Sequence, residues 1–359
     1  MKIGIDISQI VYGTGVSTYT RNLIEALLAL DKDNEYIIFG GSLRRKGELE
    51  TFLASLKGNV SGKTYPFPPT IADILWNRLH VLKIEKLVGD LDVFHSSDWT
   101  QPPSSAFKIT TIHDLVPLRF PQYSHPRIVS AHKARLKHIK REIDIVIVPS
   151  NATKEDLVAT GVSEDKIRVI PEAPDPIFKP AKKKEIEKLK REHRIKKGYI
   201  LAVGVGPRKN TERIIEAYEK VRAGRDLKLI ILGHPYKKIE QKRGVIFTGH
   251  VEIDKMPAYY SGAEVLVYPT IYEGFGLPVL EAFSCKIPVV TSNISSLPEV
   301  AADAAEIVDP FDVDSITEGI RNALSRKKGL IIKGLKRSKD FSWQKTAEMT
   351  LEVYNEARK

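Results

Sequence analysis

Short apolar runs alternate along the chain with longer stretches whose apolar residues recur every three to four positions. KIGIDI (2–7) is followed by VSTYTRNLIEALLAL (16–30), where Leu23, Leu27 and Leu30 fall at helical spacing, and then by YIIFG (36–40), which predicts a βαβ opening. DVFHSS (92–97), KITTIHD (108–114) and DIVIVPS (144–150) continue the strands. KIRVIPEAPDPIFKP (166–180) then brings four prolines into an extended segment that neither a helix nor a central strand accommodates, and the interdomain linker is placed there. The alternation restarts with YILAVG (199–204), helical TERIIEAYEKV (211–221), LKLIILG (227–233) and GVIFTG (244–249). A helix near DKMPAYYSGA, the strand VLVYP (265–269), a helix after Pro278, the strand IPVVTS (287–292) and a final long helix from Ser315 complete it. Strands separated by helices imply parallel sheets covered on both faces, once in each half. The predicted class is α/β: two doubly wound, Rossmann-like domains facing across a cleft, residues 1–175 and 176–340, with ligands at the carboxyl ends of the strands.

Composition narrows the partners. The 359 residues carry 56 Lys+Arg against 45 Asp+Glu, a formal net charge of +11 that favours anionic ligands. Part of that excess lies in KKKEIEKLKREHRIKK (182–197), where interspersed glutamates suggest a solvated helix face. No 18-residue uncharged apolar run is present, and MKIGIDISQIVYG enters a strand directly rather than a charged head and apolar leader, so a cytoplasmic protein is expected. The single cysteine, Cys285, excludes an internal disulfide or a cysteine zinc cluster and reads as a small buried hydrophobe. No aromatic-basic stacking motif or zinc pattern supports a nucleic-acid binder.

The glycine-bearing loops after the strands hold the candidate chemistry. YGTGVSTYT places Gly13 and Gly15 between the first strand and its helix, but Thr18 and the Gly40–Gly41–Ser42 end of the second strand depart from a dinucleotide fingerprint. In VGVGPRKNTERI (203–214), Gly204, Gly206 and Pro207 turn the chain before Arg208 and Lys209, adjacent cations at a helix entrance and a candidate diphosphate site. In VLVYPTIYEGFGLPVLEAF, Gly274 and Gly276 permit close backbone approach, Pro278 suits the first helical turn, and Glu281 follows among apolar neighbours. A buried Glu281 must find donors, such as ribose hydroxyls, or shift its pKa. The plainer alternative makes Glu273 an exposed loop acid and Glu281 a helix-start acid favoured by the dipole.

The element EGFGLPVLE, preceded by AEVLVYPTIY and followed by AFSCKIPVVTSNISSLPEV, resembles the donor-site signature of the retaining glycosyltransferases of family 4, which have the GT-B fold. GTGVSTYTRNLIEAL, IHDLVPLRFPQY (112–123), PSNATKEDLVATGVSEDKIRVIPEAPD (149–175) and VGVGPRKN fall in that family's order, most similar to its bacterial and archaeal mannosyltransferases. FSWQKTAEMTLEVYNEA resembles the terminal helix that crosses back, which assigns 341–359 to the first domain. The resemblance implies that Glu281 binds the nucleotide ribose and Glu273 the donor sugar. Gly274, Phe275, Gly276 and Leu277 would line sugar and diphosphate, Lys209 would bind the diphosphate, Gly15 would lie near the phosphates, and His113 would lie beside the donor sugar. Val251, in TGHVEID (248–254), would touch the nucleobase. Val205 stands where many relatives have Arg, and Arg208 is the candidate replacement.

The implied reaction is retaining transfer of a sugar, with mannose from GDP-mannose leading, to a glycan or polyprenyl-diphosphate-linked acceptor. Arg208, Lys209 and the helix start at Leu277–Leu280 would stabilise the departing diphosphate without a metal or other cofactor. His113 would position groups rather than act as general base, unless it merely pairs with Asp114. DLD (90–92) and DVD (312–314) read as element boundaries rather than metal sites. HPRIVSAHKARLKHIKR (125–141) and ILWNRLHVLKIEKLV (74–88) could dock on anionic lipid as a peripheral contact at the inner membrane face, or be amphipathic helices with solvated basic faces. A sugar-nucleotide epimerase or hydrolase of related fold is the alternative enzyme reading; a nucleic-acid binder is the non-enzymatic one.

Overall fold

The computed structural model describes residues 1–223, 226–235 and 242–358. The chain divides into two units, Met1–Glu172 with Ser342–Lys359, and Ala173–Phe341.

In the first unit, among the described residues, seven parallel strands run in the order β3-β2-β1-β4-β5-β6-β7. They are β1 Lys2–Asp6, β2 Glu35–Gly41, β3 Val60–Tyr65, β4 Val93–Ser96, β5 Phe107–Thr111, β6 Ile145–Val148 and β7 Ile167–Val169. β6 is IVIV with all four residues buried, as a strand covered on both faces requires. The helix Gly15–Leu30 buries Leu23 and Leu27, but Leu30 is exposed, so the stripe ends one turn early. The C-terminal helix Trp343–Asn355 packs against Gly15–Leu30, as the resemblance implied. It buries Trp343, Ala347, Thr350, Val353 and Tyr354. The Tyr354 hydroxyl meets buried His95 Nδ1 at 2.8 Å, while His95 Nε2 meets Thr111 Oγ1 at 2.8 Å. Arg168 grips Glu356 through two nitrogens, at 3.0 and 2.8 Å.

In the second unit, six parallel strands run β10-β9-β8-β11-β12-β13 among the described residues. They are β8 Gly198–Val203, β9 Leu227–Leu232, β10 Val245–Phe247, β11 Val265–Tyr268, β12 Val289–Ser292 and β13 Glu306–Val308. The period-2 alternation divides two cores across this sheet. Tyr199, Leu201, Leu266 and Tyr268 join one with Phe283 and Leu280, whereas Ile200, Ala202, Val265 and Val267 join the other with Ile316 and Ile320. Free Cys285 is buried in the first of these.

Several expectations are corrected. β3 and β13 were not anticipated: VSGKTY is largely exposed and EIV is three residues long, so neither shows an apolar pattern. The segment 166–180 opens with the short edge strand β7, Ile167–Val169, and its four prolines all follow that strand, around the boundary between the two units. The long helix from Ser315 is instead Val313–Ser325 and Lys327–Ser338, parted at Arg326 (φ −99°, ψ 15°), and the helix Trp343–Asn355 then follows separately. Residues 74–88 form no continuous amphipathic helix: short turns Asp73–Arg78 and Glu85–Val88 flank His80 and Leu82, both at positive φ.

Replacing Tyr354 by Phe leaves a buried imidazole nitrogen without its partner, at a cost of ~1–3 kcal/mol. Thermal unfolding of Tyr354→Phe should begin several °C lower than wild type; an unchanged melting curve would show that the C-terminal helix is not anchored through His95.

Candidate active site

The second sheet changes its direction of growth between β8 and β11, and the loops following those two strands meet there. Both candidate loops are among them. After β8, Gly204 (φ 79°) turns the chain, and a Cβ there would lie 3.0 Å from Lys209 Cε, so the glycine leaves room for the lysine stem. Arg208 and Lys209 then precede Asn210, which sits at the start of the helix Thr211–Arg222.

After β11, Glu273 turns toward those cations. Its Oε1 accepts from Arg208 Nη1 at 2.8 Å and from Lys209 Nζ at 2.7 Å. Arg208 Nη1 also donates to the Tyr272 carbonyl at 2.6 Å, and Lys209 Nζ to the Tyr268 hydroxyl at 2.6 Å. Burial works to raise the Glu273 pKa, but Lys209 and Arg208 outweigh it and hold the carboxyl below its ordinary value. Glu273 is therefore not an exposed loop acid: its side chain is 13% exposed and carries its charge between two cations.

Gly274, Phe275 and Gly276 lead into the helix Leu277–Ser284, with Pro278 in its first turn. Gly276 has φ 111°, and a Cβ there would lie 2.6 Å from Leu297 Cδ2, so both conformation and space require glycine. Glu281 is partly exposed as a residue, yet its carboxylate accepts a hydrogen bond from the fully buried Tyr260 hydroxyl. Burial pushes its pKa up to about 7, against the opposing effect of that bond. Val251 is partly buried in the loop beyond β10 and packs on the same core as Leu280 and Phe283.

Sequence reasoning missed the groups that hold these residues. Asn210 Nδ2 ties the two loops together by donating to the Pro269 and Pro310 carbonyls at 2.9 and 2.6 Å. Ser295 Oγ accepts from the Glu273 N–H and donates to its carbonyl, at 3.1 and 2.6 Å, and Ser296 Oγ donates to the Phe275 carbonyl at 2.7 Å. Asn210 precedes a helix but its side chain does not cap it, and like Tyr260, Tyr268 and the serines it carries no local signal, because its partners are distant in sequence.

In the first unit, Gly15 opens the helix Gly15–Leu30 behind Thr14, whose N–H donates to Ser17 Oγ at 3.1 Å. His113 follows β5. Its Nδ1 bonds Glu172 Oε1 at 2.7 Å, and Tyr19 packs against the ring edge-on at 4.5 Å. The expected alternative partner, Asp114, instead accepts from the Val116 N–H at 2.8 Å. Burial lowers the His113 pKa, but Glu172 reverses this and the net shift is upward. The first sheet reverses between β1 and β4, where a cavity of about 240 Å³ is lined by Tyr12, Phe67, Trp76 and Trp99 with Ser97 and Thr100. The basic helix Pro126–Glu142 turns Arg135 inward, 2% exposed, onto Asp98, Thr110 and Thr111. Of the acidic pairs, Asp92 accepts from the Lys2 N–H and Asp312 caps the helix Val313–Ser325.

Two family models match in tandem: glycosyltransferase family 4 over residues 13–176 and glycosyl transferases group 1 over residues 183–339. The chain belongs to the family 4, group 1 glycosyltransferases. This enzyme is 27% identical over 373 residues to the O-antigen chain mannosyltransferase B of Escherichia coli, covering 95% of this chain and 96% of that one. It is 28% identical over 270 residues to the serotype-specific mannosyltransferase WbdA of Escherichia coli, but there it spans only 33% of the relative's length. Similar solved structures include HepE from Anabaena in complex with UDP and glucose, with a TM-score of 0.72 at 14% identity over 99% of this chain and 100% of that one. Sucrose-phosphate synthase from Thermosynechococcus elongatus has a TM-score of 0.72 at 19% identity, covering 99% and 98%. At these identities the structural likeness is one of fold, and that fold is GT-B. Membership in a glycosyltransferase family displaces the epimerase, hydrolase and nucleic-acid readings. No described helix is long and apolar enough to cross a membrane.

The Glu281 pKa makes a signed prediction for the glycosyltransferase. Folded Glu281 ionises near 7 rather than at its ordinary 4.5, so the fold favours the protonated form. Its stabilising contribution is full below about pH 4.5 and is lost as pH rises through about 7. The melting temperature of wild type should fall relative to Glu281→Gln between pH 5 and 8; parallel profiles would show that the carboxyl is not perturbed.

Proposed function

We propose that this glycosyltransferase is a retaining mannosyltransferase that moves mannose from GDP-mannose to a hydroxyl of a lipid-linked glycan in cell-surface polysaccharide synthesis. The observation that carries the reading is the cation pair Arg208 and Lys209, fixed on Glu273 at the switch point of the second sheet. The sugar identity is supported by likeness to an O-antigen mannosyltransferase along nearly its whole length.

Breaking a sugar–phosphate bond leaves negative charge on the diphosphate, and donors fixed in advance stabilise that charge most. In this proposal Arg208 and Lys209 share themselves between Glu273 and the diphosphate, assisted by the helix start at Leu277, with no metal required of the chain. Glu281 accepts from the ribose hydroxyls, Gly274, Phe275 and Gly276 flank the sugar and diphosphate, Val251 touches the base, Gly15 lies near the phosphates, and His113 bonds a sugar hydroxyl. A carboxylate held by two cations is a poor nucleophile, which favours attack by the acceptor on the face the diphosphate leaves. The acceptor sugar would use the aromatic cavity at Tyr12 and Trp99. Exposed Ile71, Ile74 and Leu79, with the remaining lysines of Pro126–Glu142, would give a peripheral contact with anionic lipid at the inner membrane face.

A panel of nucleotide sugars tests the donor. At 100 times its dissociation constant the true donor stabilises by ~2.7 kcal/mol, so GDP-mannose should raise the melting temperature above the other sugars and yield an α-configured product by NMR. Protection by UDP-glucose alone would move the assignment to a glucosyl donor, and an inverted product would remove same-face attack.

A further inference from the structure

Outside the donor site, three side chains converge in the first unit. His80 lies at φ 53° in the turn after Asp73–Arg78, while His138 and Glu142 lie one helical turn apart on Pro126–Glu142. One ligand atom from each falls within 4.8 Å of the others. The side chains are 21%, 15% and 30% exposed, so solvent reaches the cluster without flooding it.

The hydrogen bonds fix where the imidazole protons are. His80 Nδ1 lies 2.9 Å from the Trp76 carbonyl, and His138 Nε2 lies 3.0 Å from the Asn77 carbonyl. A carbonyl oxygen only accepts, so both of these nitrogens carry hydrogen. In the neutral rings, lone pairs then stand on His80 Nε2 and His138 Nδ1, the two nitrogens nearest the Glu142 carboxylate. His80 Nε2 is 2.5 Å from Glu142 Oε1 and His138 Nδ1 is 3.8 Å from it. Both His80 Nε2 and Glu142 Oε1 are buried atoms without a hydrogen-bond partner, because their close approach lacks hydrogen-bond alignment.

Two lone pairs and a carboxylate facing one another repel unless positive charge lies among them. A proton on His80 Nε2 would supply it through an aligned N–H···O bond, which this geometry does not make. A metal ion would accept all three atoms, and the backbone carbonyls behind both rings are the outer partners that orient metal-bound histidines. We propose that His80, His138 and Glu142 bind a divalent transition cation of the zinc class, with water completing the coordination. Two nitrogens and one carboxylate oxygen suit such a borderline ion better than magnesium or calcium. The imidazoles stack at 3.8 Å with planes 8° apart and His80 Nε2 lies 2.5 Å from Glu142 Oε1, so binding tilts one ring about its broad χ2 torsion and opens that gap to the roughly 3.3 Å that two ligands of one tetrahedral ion require. The ion staples residues 73–82 to the helix Pro126–Glu142. This role is independent of the donor site.

The test uses tag-free, full-length protein stripped with chelator and titrated with Co2+, then Zn2+. Wild type should take up one equivalent of Co2+ with visible absorption, lose the band to Zn2+, and melt at higher temperature with Zn2+. His138→Gln and Glu142→Gln should each weaken uptake by ~100-fold or more, since outer partners alone carry ~10–100-fold. Melting curves of both variants without metal verify that they fold, and His80→Gln serves as a third variant. Absence of stoichiometric uptake by wild type, or uptake undiminished in the variants, would overturn the site. Stability that depends on pH but not on metal would likewise overturn it in favour of an imidazolium–carboxylate bridge.

Discussion

One carboxylate oxygen, Oε1 of Glu273, holds two cations, and the loops after β8 and β11 are joined through that contact. Two cationic side chains side by side repel each other, and an anion between them offsets that repulsion. Glu273 supplies that anion, Tyr268 adds a neutral acceptor for Lys209, and the Tyr272 carbonyl adds one for Arg208. The serines that bond the Glu273 backbone and the asparagine that joins the two loops keep the anion in place. Charge of this kind is fixed before substrate arrives, which is the condition under which it assists a developing diphosphate most.

The second glutamate has the opposite environment. Glu281 meets a buried phenol rather than cations, and burial moves its pKa toward neutrality. Two carboxylates eight positions apart are thus driven in opposite directions, Glu273 kept ionised and Glu281 close to balanced. The same contrast recurs in the first unit, where Glu172 keeps buried His113 basic while burial takes His95 down to about 3.

Much of this was legible in the chain. The central strands VLVYP and DIVIVPS announce themselves as continuous apolar runs, and the Gly-rich loops after β8 and β11 stand out because strand, turn and helix follow in sequence. The edge strands β3 and β13 were not legible, since an edge strand is specified by its neighbour's hydrogen bonds more than by its own apolar pattern. The ion pairs joining Arg208 and Lys209 to Glu273 cross more than sixty residues and leave no local trace. Arg135 illustrates the same limit: it belongs to a basic run, yet packing against Asp98 turns it into the interior. His80 and His138 belong to segments read only for charge, and a left-handed turn is what brings them together.

Whether the cations held by Glu273 grip a diphosphate is tested most directly by comparing calorimetric affinities for GDP and GMP, with UDP and UMP alongside. Charge-assisted hydrogen bonds of ~1.5–3 kcal/mol predict that wild type prefers the diphosphate of its own base by ~10–100-fold, and that Lys209→Ala loses most of that preference while monophosphate affinity holds. A preference for diphosphate that survives Lys209→Ala intact would contradict the claim.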